Sequence, residues 1–127
     1  MSGIAGQISL NKGKINPKIL DEMRNRLSKR GPDGFKLLNQ ENVGFVNTEL
    51  HSTSELTLED NLLFFPHLDI FINSDARLDN REDLLNELSL DNYFSDNYII
   101  ASAYKKWGIN CHNKFVGAFA FVIFDKK

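Results

Sequence analysis

Met1-Ser2-Gly3-Ile4-Ala5-Gly6-Gln7 opens the chain and decides how its fold is interpreted. Removal of Met1 would make Ser2 the amino terminus, where the α-amine, with an ordinary pKa near ~8, can take the proton of the hydroxyl. Such a residue is a nucleophile with its own general base and needs no histidine. The plainer interpretation is a small side chain that lets Met1 be trimmed, followed by a strand through Ile8 and Leu10.

Length and composition indicate an ordinary globular protein. The 127 residues are enough for one domain with a core of its own. The formal net charge is −2, so there is no basic surface that would favour nucleic acid. No apolar run approaches the length of a membrane span, and residues 1–15 lack the apolar core of a signal peptide. We therefore expect a cytoplasmic protein that binds neither nucleic acid nor membranes.

Cysteine and histidine usage argues against metal or thiol chemistry. One cysteine cannot form an internal disulfide, and the three histidines lack the spacing of metal ligands, so no metal site is expected. A Cys–His hydrolase built on Cys111 and His112 is rejected, because neighbouring side chains cannot easily aim at one another.

Capping residues predict the helices. Asn16-Pro17 begins the first, which ends before Gly31-Pro32 because proline disfavours helical geometry in the residue before it. Ser95 begins the last and strongest helix, and Gly108 ends it. Between them, Asn80 is predicted to cap a further helix, with a connection over 75–79 leading into it.

Strands are predicted from short β-rich or apolar runs separated by turns. Residues 39–42 are expected to form a turn, 53–61 a loop, and the last run a strand that is buried on both faces. After the opening strand these runs are 35–38, 43–50, 62–65, 68–72 and 117–124.

Four separated stretches of the sequence are informative when they are considered together. They are residues 1–6, Arg30-Gly31-Pro32-Asp33-Gly34, the helix from Ser95-Asp96 through Tyr104 to Trp107-Gly108, and residues 111–125 with Gly117-Ala118-Phe119-Ala120-Phe121. Taken alone, the second stretch is a Pro-Asp-Gly turn between a helix and a strand. In this order and spacing they resemble the N-terminal glutaminase domain of asparagine synthetase. That domain is a class II glutamine amidotransferase of the N-terminal-nucleophile hydrolase superfamily.

The resemblance covers essentially the whole chain and implies its fold. We expect an α+β protein, a four-layer αββα sandwich of two mainly antiparallel sheets, with the terminal nucleophile at the end of a strand. Family members continue through a further strand, so the chain is expected to be C-terminally truncated. Residues 1–127 would be a single glutamine amidotransferase type 2-like domain without its last strands and its synthetase domain. The strand over 118–124 would then need cover from another chain or from elsewhere in the fold.

The resemblance also implies positions for the chemistry. In active members a terminal Cys attacks the side-chain amide of glutamine, an Asn and a Gly form the oxyanion hole, and Arg, Glu and Asp hold the amino-acid end of the substrate. The matching positions here are Ser2 for the nucleophile, Asp75 and Ala76 for the oxyanion hole, and Glu49, Arg77 and Asp96 for the amino-acid end.

Most of these positions depart from the family pattern. A serine hydroxyl is a far weaker acid than a thiol, and an ionised Asp75 accepts hydrogen bonds where a donor is needed. Glu49 would repel a substrate carboxylate by roughly 4 kcal/mol at about 4 Å and an effective dielectric near 20. Because Glu49 and Arg77 exchange the charges expected at their positions, Arg77 is predicted to pair with Glu49, Asp75 or both. Only Asp96 keeps the family residue.

The altered positions favour a domain that no longer hydrolyses glutamine. Asp75-Ala76-Arg77-Leu78-Asp79-Asn80 is itself similar to the segment in β-lactam synthetases and lasso-peptide cyclases. The alternative is an active N-terminal-serine amidohydrolase that supplies ammonia from glutamine or another amide. No cofactor is expected in this domain, since ATP and magnesium would serve a following synthetase domain, joined in cis or acting in trans. A homodimer is left open as a further partnership, and glutamine binding is not expected.

Overall fold

In the computed structural model, residues 3–49, 64–91 and 94–126 are described. The chain divides into two compact units, Met1–Thr57 and Leu58–Lys127. Each unit contains a three-stranded antiparallel sheet with at least one helix packed on it. The predicted α+β class with two antiparallel sheets is therefore confirmed.

The described part of the first unit is a sheet with one helix. Its elements are β1 (Gly3–Ile8), α1 (Pro17–Leu27), β2 (Gly34–Gln40) and β3 (Val43–Glu49), and the strand order is β1-β3-β2. The helix begins as predicted, because the Asn16 side chain accepts a hydrogen bond from the Lys18 amide at 3.0 Å and Pro17 is the first helical residue. Its apolar face buries Leu20 against Ile15 and Val46.

Two strand boundaries of the first unit differ from the prediction. The opening strand ends at Ile8, because the next residues form a turn in which Asn11 Oδ1 accepts a hydrogen bond from the Gly13 amide at 3.0 Å. Leu10 lies in that turn and is 95% exposed, so it is not a core residue. The turn between β2 and β3 is tighter than residues 39–42, since β2 runs to Gln40 and Glu41 takes a left-handed conformation with φ 53°.

The second unit holds the remaining elements. They are β4 (Phe64–Phe65), β5 (Ile70–Leu78), α2 (Arg81–Glu87), α3 (Asp96–Trp107), a 3₁₀ helix (Gly108–Lys114) and β6 (Gly117–Asp125). The strand order is β4-β5-β6. Helix α3 has its predicted ends: Ser95 accepts from the Tyr98 amide at 3.2 Å, and Gly108 follows with φ 75°. The core of this unit lies between α3 and the sheet, and is centred on Ile70, Ile72, Leu84, Ile99 and Ile100.

The connection predicted over 75–79 is wrong for most of its length. Strand β5 continues to Leu78, and its last residues pair with β6 up to the Leu78–Gly117 partners. Alternation explains why the segment is a strand despite its polar residues. Ala76 and Leu78 pack against the core of the unit, and Arg77, between them, is exposed.

Strand β6 is not buried on both faces as predicted. Phe119, Phe121 and Ile123 pack against the core of the unit. The alternate positions are exposed: Ala118 and Ala120 face solvent and Val122 is 36% exposed. Within the described sheet, β6 is an edge strand that pairs with β5 alone. The prediction that another segment covers this edge stays a prediction.

Asn80 precedes α2 as predicted, but its side chain does not cap the helix. Instead, Asn80 Nδ2 donates to the Lys114 carbonyl at 2.8 Å, and Asn80 Oδ1 accepts from the Val116 amide at 3.0 Å. The side chain therefore joins the start of α2 to the segment that leads into β6. Among the described residues, no helix is both long and apolar enough to cross a membrane.

Candidate functional site

The predicted site positions fall in both units, and each unit is described by itself. Ser2, the predicted nucleophile, lies outside the described residues. Glu49 belongs to the first unit. Asp75, Ala76, Arg77 and Asp96 belong to the second unit.

Glu49 is the last residue of β3, at the end of the sheet where β1 begins. Gly3 pairs with Thr48 in one neighbouring strand, and Gly34 pairs with Glu49 in the other. The Glu49 side chain is 20% exposed, and its Oε1 lies 3.9 Å from the Lys36 Nζ atom. Glu49 is thus a half-buried carboxylate next to the described start of β1.

The turn over 30–34 is built against this end of β3. The Asp33 amide donates to the Glu49 carbonyl at 2.9 Å, and Pro32 forms a parallel bridge with Glu49. Gly31 is buried so closely on the strand that a Cβ atom there would lie 2.3 Å from the Thr48 carbonyl carbon. The motif therefore needs glycine for close backbone approach, and it holds Glu49 in place.

Thr48 adds a second constraint at the same end. Its hydroxyl lies 3.4 Å from the Gly3 carbonyl and 3.3 Å from the Leu27 carbonyl, so it joins the start of β1 to the end of α1. The side chain is 1% exposed. Helix, strand and turn thus converge on the residues that flank Glu49.

In the second unit, Asp75, Ala76 and Arg77 are consecutive residues of β5, paired with Ala120, Phe119 and Ala118 of β6. Asp75 and Ala76 are half-buried and Arg77 is exposed. Of the two partners predicted for Arg77, Asp75 forms no ion pair with it among the described residues, and Arg77 Nε instead lies 3.3 Å from Oδ1 of Asp79. Glu49 belongs to the other unit, so its pairing with Arg77 stays a prediction. Residues 75 and 77 are neighbours on one face of a strand, whereas Asp79 follows the strand end and can turn back to the guanidinium.

Asp96, the first residue of α3, is 8% exposed and pairs with an arginine that we did not predict. Arg81 Nη1 lies 2.6 Å from Asp96 Oδ1, and Arg81 Nη2 donates to the backbone carbonyl of Phe94. Burial raises the pKa of Asp96, and the charge and hydrogen bond of the Arg81 guanidinium offset only part of that rise. This is the closest and most buried of the ion pairs found among the described residues.

One signal in the sequence could have pointed to Arg81. It is the first residue of α2, where the positive end of the helix dipole disfavours a cation by about 0.3–1 kcal/mol. An arginine in that position therefore needs an acceptor. Glu82 and Asp83 in the same turn offered local candidates, and the partner that the fold supplies lies fifteen positions further along the chain.

The start of α3 is also fixed to the sheet. Ser74 Oγ of β5 donates to Asn97 Oδ1, and Asn97 is fully buried. Ser95, Asp96 and Asn97 thus form a buried polar turn held from two sides, by Arg81 and by Ser74. Asp96 has little freedom to move toward another partner.

The remaining features of the described part of the chain do not form a competing site. Burial raises the pKa of Cys111, and His112 Nδ1 lies 3.1 Å from the Ile109 carbonyl, so the thiol is neither activated nor paired with that ring. Among the described residues, no group of three or more His, Cys, Asp or Glu side chains could hold a metal ion. An open groove in the first unit lies by the β2–β3 turn, at the end of β3 opposite Glu49; it is lined by Lys14, Ile15, Asn16, Pro17, Asn39 and Glu41.

Comparisons with known proteins indicate the family of the chain. The chain is 29% identical to asparagine synthetase [glutamine-hydrolyzing] 3 of Bacillus subtilis (strain 168) over 133 aligned residues. That alignment covers 100% of this chain and 22% of the relative, so the chain spans less than a quarter of the relative's length. The family model described as "Glutamine amidotransferase domain" matches residues 1–127. The chain therefore belongs to the glutamine amidotransferase domain family.

Proposed function

We propose that this chain is the glutaminase-like N-terminal domain of an asparagine-synthetase-like amidotransferase and that it is silent in glutamine hydrolysis. The observation that carries the proposal is the position of Asp75. It lies within β5, half-buried and paired with Ala120. The resemblance assigns this position to the oxyanion-hole asparagine of the family. A carboxylate there has no N–H to donate.

The chemical consequence of Asp75 is large. Attack on an amide places a negative charge on the carbonyl oxygen, and an oxyanion hole must donate hydrogen bonds to it. Losing one such donor slows a reaction by about 10²–10³. A negative charge facing the developing oxyanion slows it further, because like charges repel most strongly where water is excluded.

Two other positions point the same way. Ser2 replaces the thiol of active members with a hydroxyl, which is harder to ionise. Glu49 places a carboxylate where active members bind the substrate carboxylate with arginine. Nucleophile, oxyanion stabilisation and substrate binding are therefore all weakened.

The proposed partner is an ATP-dependent synthetase domain, in cis or in trans. The named relative is a glutamine-hydrolysing asparagine synthetase, and the matched region is 22% of its length. ATP and magnesium would belong to that partner domain. Within the family we place the chain beside the β-lactam synthetases and lasso-peptide cyclases, because they carry a segment similar to Asp75-Ala76-Arg77-Leu78-Asp79-Asn80.

Glutamate release from glutamine tests the proposal. The chain should give no release above that of its Ser2→Ala variant, and Ser2→Cys alone should not restore activity, because Asp75 and Glu49 remain. Activity should require the combined replacement of Ser2, Asp75, Ala76 and Glu49 by the family residues. Robust release by the unaltered chain that Ser2→Ala abolishes would overturn the proposal in favour of an active N-terminal-serine amidohydrolase.

A further inference from the structure

The Arg81 guanidinium contacts Asp96 as a bound cationic ligand would. The guanidinium approaches Asp96 Oδ1 at 2.6 Å through Nη1, while Nη2 donates to the Phe94 carbonyl. The Arg81 side chain is 27% exposed and that of Asp96 11%. The cation thus lies in a partly closed polar turn and contacts both a carboxylate and a backbone carbonyl.

These contacts are the ones that an amino-acid ammonium group would make. An ammonium group and a guanidinium are both cations with several N–H donors and no acceptor. Asp96 matches the acid that holds the substrate amine in the family, so its natural partner in an active member is a small-molecule cation. In this chain the cation comes from α2 of the same unit.

A tethered partner has an advantage over a free ligand. Arg81 is positioned by its own helix, so it pairs with Asp96 without the loss of translational freedom that a small molecule suffers on binding. The pair also satisfies a buried carboxylate, and a competing amine would have to displace Arg81 and leave it without that partner.

We infer that Arg81 is an internal substitute for the substrate ammonium: it occupies Asp96 and prevents the domain from binding compounds that carry a free amine. This inference rests on the proposed function, because Asp96 corresponds to an amine-binding acid only if the chain is a glutaminase-like domain. It adds a specificity-determining residue outside the positions matched to the family. It also predicts that removal of Arg81 opens a site for a primary amine.

The test measures amine binding in the full chain with the Arg81→Ala variant. The probe is 4-aminobutanamide, which is glutamine without its α-carboxylate, so that repulsion by Glu49 does not enter the measurement. Butanamide, which lacks the ammonium group, is the matched neutral ligand. The amine should bind the variant at least about tenfold more tightly than it binds the unaltered chain, since a hydrogen bond to a buried charge contributes that much. Butanamide should show no such gain.

A thermal-shift readout keeps the test valid if the variant is destabilised. A ligand that binds only the folded state raises the unfolding midpoint, so 4-aminobutanamide should raise it in Arg81→Ala and not in the unaltered chain. Arg81→Gln provides a second variant, since its amide can still donate to Asp96 while the competing charge is gone. Arg26→Ala, which removes an exposed arginine of α1, is the matched control and should behave as the unaltered chain.

Two outcomes would overturn the inference. One is a folded Arg81→Ala or Arg81→Gln variant that binds the amine no more tightly than the unaltered chain. The other is that butanamide stabilises both variants as much as 4-aminobutanamide does, which would show that the space admits any small amide. The proposed function fails on a separate measurement, glutamate release by the unaltered chain, so failure of one proposal is distinguishable from failure of the other.

Discussion

Two arginine–aspartate pairs of the second unit differ in distance, in exposure and in the sequence separation of their partners. Arg77 and Asp79 meet at 3.3 Å with side chains that are 79% and 52% exposed. Arg81 and Asp96 meet at 2.6 Å with side chains that are 27% and 11% exposed. The first pair is local in sequence and solvated, whereas the second joins two helices and is largely desolvated.

The difference shows that the pattern of charges in the sequence does not by itself reveal which ion pair contributes most to stability. Both pairs have the same chemistry, and the exposed one involves the arginine that we singled out from the sequence. Burial decides the energetic consequence: an exposed pair contributes roughly 0–1 kcal/mol, whereas breaking a buried pair leaves an uncompensated charge.

The largest expected effect is the loss of Arg81. Arg81→Met should destabilise the second unit by about 3–5 kcal/mol at neutral pH, because Asp96 would remain buried without its cation. The fluorescence of Trp107, the only tryptophan of the chain, reports unfolding of this unit in urea. Arg77→Met is the matched control. Equal midpoints for the two variants would remove the distinction between the pairs.

A double-mutant cycle sharpens the same comparison. Arg81→Met and Asp96→Asn should show a coupling energy of about 1.5–3 kcal/mol, the range for hydrogen bonds to charged groups. The corresponding cycle on Arg77 and Asp79 should give about 0.2–1 kcal/mol. The double variant at Arg81 and Asp96 should regain much of the stability that Arg81→Met alone loses. Additive effects at the buried pair would contradict the contact.

The pH dependence provides a third measurement. Burial already raises the pKa of Asp96 with Arg81 present, and in Arg81→Met the opposing cause is gone, so the pKa should rise further. A folded-state pKa above the unfolded value means that the folded state binds the proton more tightly. Stability from this group is therefore greatest below about pH 3.9 and falls as the pH rises through the raised folded pKa.

The deficit of Arg81→Met should accordingly shrink on acidification in the window between the folded pKa of Asp96 in the variant and its lower folded pKa in the unaltered chain, by up to about 1.4 kcal/mol per pH unit. Urea midpoints of the variant and the unaltered chain at several pH values measure it. A deficit that stays constant across the window would mean that Asp96 does not carry the unpaired charge.

The smallest effect is expected at the exposed pair. Arg77→Met should change the free energy of unfolding by less than about 1 kcal/mol, and added salt should reduce that change, because salt screens solvent-exposed charges. The effect of Arg81→Met should depend little on salt. A strong salt dependence at Arg81 would indicate that this pair is more accessible to solvent than its geometry shows.

Local chemistry explains which parts of the fold were predictable. The sequence predicts both ends of α3 because Ser95 caps its own helix and Gly108 ends it, with every contact within a few residues. It fails over residues 75–78, where polar side chains suggest a connection and only pairing with β6, some forty residues away, makes a strand. Local composition does not reveal which strands pair when they are far apart in the sequence.

The candidate site shows the same limit. The roles assigned to Asp75, Glu49 and Asp96 rest on a resemblance, by alignment of their segments with the family pattern. The partner of Asp96 required the packing of α2 against α3, which no sequence spacing specifies. Arg77 pairs with Asp79, and the sequence does not distinguish that residue from Asp75, since both are acids two residues from the arginine.

The hydrogen bonds of the Asn80 side chain bear on the order in which the second unit folds. Its bonds to Lys114 and Val116 close a loop that contains α2, α3 and the 3₁₀ helix, next to the Leu78–Gly117 end of the β5–β6 ladder. Closing a loop of that length in an unstructured chain is entropically unfavourable, and prior helix formation brings its ends together. We therefore expect the helices to form before the β5–β6 ladder, and Asn80→Ala to slow refolding of the sheet more than formation of the helices.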